Sequence, residues 1–152
     1  MASWSKAAQL VARCDTRKQR VLTTMARLDR EQRQSLAQEQ ILAEHSADLD
    51  ALLAEHLARG GVTDKAGLYE ARRRLAVVLS QKNDVRLEQR QAKQQTQELE
   101  HQQHDERQRL LTLEKKRNTY QTWIELQQRQ ARKRRDLLEQ SEIEERTQWC
   151  KL

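Results

Sequence analysis

Gly60 and Gly61 stand side by side in a chain of 152 residues that contains no proline and only one other glycine, Gly67. Proline stops a helix by removing a donor and clashing with the preceding turn, and glycine weakens one. With both nearly absent, and with Ala, Leu, Glu, Gln, Lys and Arg dominant, little except that doublet interrupts a helical backbone. The predicted fold class is all-α: an antiparallel two-helix coiled-coil hairpin with unequal arms, the second helix overhanging. Helix 1 is expected over about residues 3–58, a turn at about 59–62 and helix 2 over about 63–148, within a single elongated domain spanning residues 1–152. At ~1.5 Å per residue the arms measure about 85 Å and about 130 Å.

Composition points the same way. Only 36% of residues are apolar, 34% are charged and Phe is absent, so no compact core can be assembled. Disorder is the rival reading of so polar a chain, and the abundance of strong helix formers opposes it.

A seam of heptad spacing confirms two helical arms. Steps of three and four from Val11 to Leu53 give thirteen positions, eight of them apolar, with a polar middle at Gln32, Ser35 and Glu39. A longer series runs from Leu68 to Leu138 and stays in phase throughout. Each well-buried Leu or Val should contribute ~1.5–3 kcal/mol, whereas Lys, Gln, Glu and Arg on the seam contribute little. Gly60 is suited to the left-handed residue that ends helix 1, and Thr63 or Asp64 to the cap of helix 2. A turn centred on the doublet puts residue i opposite about residue 122 minus i. Cys14 then lies near Gln108, and residues 119–152 form the overhang.

The overhang carries two kinds of side chain. Tyr120, Trp123, Ile124, Leu126, Leu137, Leu138, Ile143 and Trp149 are apolar or aromatic, and a lone helix exposing them lacks the packing that stabilises helices. Completion by another protein or self-association through the same stripe would supply it. For Tyr120 and Ile124 a plain seam role competes with that of a binding anchor, with Trp123 as flanking bulk or as the anchor itself. The second feature is a basic block at residues 129–135, followed at once by Asp136, Glu139, Glu142, Glu144 and Glu145. It suits an acidic protein groove, a solvated helical face or, less well, nucleic acid.

Other chemistry is thin. The net charge is +6, with both signs interleaved over most of the length. Cys14 and Cys150 are too few for a disulfide framework and are placed too far apart to bridge, which suits a reducing compartment. His101 and His104 share a helical face but lack further ligands, so no metal is expected. The longest apolar run, residues 75–79, is far short of a membrane span. Residues 1–13 lack the continuous apolar core of a signal peptide, and a mature cytosolic protein is expected. No phosphate-cradling loop, nucleophile elbow or strand–helix alternation is present. The expectation is a protein that is not an enzyme and takes no cofactor.

The run Lys115-Lys116-Arg117-Asn118-Thr119-Tyr120-Gln121-Thr122-Trp123-Ile124, continuing to Arg129 and Lys133, resembles the distal helix of one family. Leu68 and Tyr69, with Leu75, Ala76, Val77 and Val78, add to the likeness. Both stretches resemble the central-stalk proteins of type III secretion systems, the InvI/SpaM and YscO group, similar in fold to the flagellar export protein FliJ. The resemblance implies a stalk whose terminal end enters the hexameric export ATPase while its looped end points at the export gate of the inner membrane, with secretion chaperones as further partners. Carried onto this chain, it implies an ATPase-proximal set of Tyr120, Trp123, Ile124, Arg129, Arg132 and Lys133. A gate- or chaperone-facing set comprises Leu49, Leu53, Tyr69, Leu75 and Val78. It further implies a cytoplasmic protein peripheral to the secretion apparatus, a monomer in isolation, with no nucleic acid bound and no direct membrane insertion. Two rival functions remain from the residues alone: a structural coiled coil that homo-oligomerises, and a basic helical nucleic-acid binder.

Overall fold

The computed structural model describes residues 2–58 and 64–151, excluding the side chains of residues 2 and 3. It contains two helices and, among the described residues, no strand: α1 at Ala2–Ala58 and α2 at Lys65–Lys151, of 57 and 87 residues. They pack against each other as an antiparallel hairpin with unequal arms. The roles expected of Gly60, Gly61 and Thr63 fall outside the described residues. Asp64 is the N-cap of α2: its Oδ1 accepts the Gly67 amide at 2.9 Å, and its carbonyl accepts the Leu68 amide at 3.1 Å. The first bond satisfies a donor that a helix start would leave orphaned, and the second is the first rung of the helix's own ladder.

Contacts group the residues into two units, one combining those up to Thr24 with those from Glu106 onward, the other Met25–Asp105. In the second unit Ser35 bonds Thr96 at 2.6 Å, so residue i sits level with residue 131 minus i. Every seam position from Met25 to Leu53, and from Leu75 to Gln103, is buried or half-buried there. In the first unit Arg117 Nε donates to Asp15 Oδ1 at 2.7 Å and Lys18 pairs with Glu114 at 3.4 Å, which agrees with that rule to within one residue.

This corrects the expected offset of 122. Seam positions recur every three or four residues, and an offset of 122 would turn the α1 seam toward exposed residues such as Gln108 and Leu111. The observed offset sets seam against seam and brings opposite charges together at Lys18 with Glu114, Arg117 with Asp15 and Lys82 with Asp50. Cys14 is buried at the level of Arg117, not Gln108. Residues 65–72 of α2 run past Ala58, and Leu68 and Ala71, expected on the seam, are exposed.

The second unit has an unusual core. Leu28 is level with Gln103, Gln32 with Leu99, Glu39 with Ala92, Leu42 with Gln89, Ser46 with Val85 and Leu49 with Lys82, so six layers pair an apolar residue with a polar one, while Leu53 and Val78 form an apolar layer. Among the described residues no buried side-chain nitrogen or oxygen lacks a partner. Gln103 uses both amide protons, donating to Gln32 Oε1 at 2.7 Å and Asp29 Oδ1 at 3.0 Å, and Gln89 donates to the Leu42 carbonyl at 3.4 Å. At the one wholly polar layer Ser35 donates to Thr96 Oγ1, whose own proton goes to Glu39 Oε1 at 3.1 Å or the Ala92 carbonyl at 3.0 Å.

Such layers fix register more than they add stability, because the wrong offset strands a buried polar group while the right one exchanges water bonds for protein bonds. Replacing both hydroxyls together, Ser35→Ala with Thr96→Val, should therefore shift stability by less than about 1 kcal/mol. Thr96→Val alone, which leaves the buried Ser35 hydroxyl without its acceptor, should destabilise by about 1–2 kcal/mol. Urea melts of the three variants check this; a double variant much weaker than the single one would contradict it.

Candidate functional site

Two surfaces stand out, one in each unit, and each follows from the register. In the first unit α1 covers the seam of α2 up to Ala131, with Ile124 buried at the level of Ala7. Beyond it, residues 132–151 are exposed without exception. This free arm begins thirteen residues later than the expected position 119; the true offset carries α1 nine residues further along α2, and the remainder comes from α1 starting at Ala2 and from Ala131 staying half-buried just past its end.

The six residues expected at the ATPase-proximal end divide accordingly. Ile124 is 8% exposed and Tyr120 half-buried, so both serve the seam; Trp123 is 38% exposed on its flank. Arg129, Arg132 and Lys133 are exposed, the last two on the free arm. The arm adds Leu137, Leu138, Ile143 and Trp149, the last of these 79% exposed.

The second surface lies where α2 begins. Of the five residues expected there, Leu49 and Val78 are buried, Leu53 and Leu75 half-buried, and Tyr69 alone is exposed, at 72%. The exposed apolar residues near Tyr69 are instead Leu57, Leu68, Val77 and Leu79. Sequence reasoning missed Leu57 and Leu79, and assigned Leu68 to the seam, because the 122 offset made the first turns of α2 look covered.

Charge is segregated between the units. The residues up to Thr24 and from Glu106 onward hold 17 Lys and Arg against 9 Asp and Glu; Met25–Asp105 holds 12 against 14. The basic character of the chain thus belongs to the unit that carries the free arm. Among the described residues no cluster of His, Cys, Asp and Glu could hold a metal; His101 pairs with Asp105 at 3.5 Å. Among the same residues no helix is long and apolar enough to cross a membrane.

Fold and surfaces together define a two-helix coiled-coil hairpin that, over the described residues, presents its side chains along the helices. The chain belongs to the InvI/SpaM family: the family model described as Salmonella surface presentation of antigen gene type M protein matches residues 5–147. It is accordingly a protein of the type III secretion machinery. No curated protein and no solved structure matches it.

Proposed function

We propose that the protein is the noncatalytic central stalk of a type III export apparatus. The free arm of α2 engages the hexameric export ATPase, and the apolar surface around Tyr69 faces the export gate of the inner membrane or a secretion chaperone. The observation that carries this reading is the arm itself: twenty consecutive exposed residues, 132–151, on a helix whose preceding stretch is paired. A helix with Leu137, Leu138, Ile143 and Trp149 in water gains stability from a partner's groove and nothing from its own chain.

A helical rod inside a ring acts on the ring only through differential contact, since a ligand with equal affinity for two states shifts neither. The arm supplies that asymmetry, because its basic and acidic segments and its apolar side chains differ from face to face and from level to level. Family membership places the chain among secretion components, and the roles of stalk, ATPase ligand and gate ligand rest on the arm and on the tip surface.

Titration of the protein into its export ATPase tests the proposal. Substoichiometric stalk, about one per six ATPase chains, should raise both the hexamer fraction and the turnover several-fold. An ATPase whose assembly and turnover ignore the added protein would refute it.

A further inference from the structure

The free arm is arranged as two blocks of opposite charge. Arg132, Lys133, Arg134 and Arg135 fill one helical turn, and Asp136, Glu139, Glu142, Glu144 and Glu145 follow. Among the described residues none of these nine makes an ion pair or a side-chain hydrogen bond. Four adjacent cations on one turn repel each other, and an anionic surface alongside would relieve them.

We propose that the arm pairs antiparallel with the arm of a second copy of this chain. The seam face of α2 continues past Ala131 through Arg134, Leu138, Ser141, Glu145 and Gln148, in the same three-and-four spacing that packs in the hairpin. Two such faces, seated antiparallel as α1 is on α2, set Leu138 against Ser141, Ala131 against Gln148 and Arg134 against Glu145. Arg135 then lies beside Glu142 on the flank, the position from which charges select coiled-coil partners. The two-fold axis makes each match twice, so the basic block of each arm meets the acidic block of the other. Parallel seating would place Arg134 beside Arg134, which charge disfavours.

The apolar share of this seam is small, so charge does most of the selecting and the pairing is weak and salt-sensitive. It stands whether or not the arm binds an ATPase; if it does, self-pairing occupies the same surface and releases it on dilution or on encounter with the ring.

Sedimentation velocity tests the pairing. The wild-type chain should form dimer at high concentration in about 50 mM salt and lose it in about 500 mM salt, where the Debye length falls well below the interhelical spacing. Arg134→Glu with Arg135→Glu leaves an arm with only acidic residues at the matched positions, and Glu142→Arg with Glu145→Arg leaves only basic ones. Each variant alone should be monomeric, and an equimolar mixture should dimerise more tightly than wild type, by about tenfold or more. Circular dichroism confirms that each variant keeps its helices. Spin labels on Cys150, with Cys14→Ala to leave one thiol, report direction: antiparallel arms offset the two labels by about 30 Å along the axis, parallel arms by none. A wild-type chain that stays monomeric at every concentration and salt would overturn the proposal and reserve the arm for a different partner. Variants that dimerise alone, or labels with no axial offset, would overturn it equally.

Discussion

Leu28→Ala should lower the stability of the hairpin by about 2–3 kcal/mol, the largest loss expected from any single side-chain truncation in this chain. Leu28 is 1% exposed, the most enclosed side chain among the described residues, while most other seam residues keep a partly wet flank. Its removal subtracts the transfer energy of a fully buried leucine and leaves a gap beside Gln103, whose amide is held in place by Gln32 and Asp29 and cannot slide in to fill it. Two helices close a gap more readily than a globular core does, so the estimate sits toward the low end of the range for buried leucines. For a chain of this size the melting temperature should fall by roughly 6–10 °C. Leu36→Ala, one helical face away and 48% exposed, should change stability by less than about 0.5 kcal/mol. Equal losses at the two positions would mean that the seam does not run where the register puts it.

The two helices and their seam were legible in the sequence because their signals are local. Absence of proline, strong helix formers and three-and-four spacing pointed to a seam from Val11 to Leu53 and from Leu68 to Leu138; the positions from Val11 to Leu53 and from Leu75 to Ala131 are at least half-buried, while Leu68, Ala71, Arg134 and Leu138 at the ends of the second series are exposed. Register is a different kind of information. It depends on how much chain the turn and the first turns of α2 take up, and the glycine doublet marks a break without measuring it. The decisive signal was present in pairs too far apart to notice without a trial alignment: Ser35 with Thr96, Lys82 with Asp50, Arg117 with Asp15. The offset that satisfies those pairs is 131 to 132, not 122. The two surfaces inherit that error. Arg132 and Lys133 lie on the free arm, whereas Ile124 and Val78 are packed away, and Leu57 and Leu79 at the tip emerge only once residues 65–72 are seen to outrun α1.

The second large effect concerns the arm. Residues 132–151 are all exposed, and among the described residues no interhelical bond involves them. A chain ending at Ala131 should consequently keep its seam, its polar layers and its melting temperature to within about 2 °C. If the proposed stalk role holds, association with the export ATPase should collapse, because the arm holds the exposed Leu137, Leu138, Ile143 and Trp149 together with most of the basic block, and aromatic and arginine side chains dominate the energetics of such contacts. Loss of several anchors together should weaken association by a factor of about 100 or more. The most direct measurement is therefore ATPase turnover and hexamer fraction against added protein, full-length and truncated side by side. Stimulation by the full chain and none by an equally well-folded chain ending at Ala131 is the expected result; undiminished stimulation by the truncated chain would contradict the account.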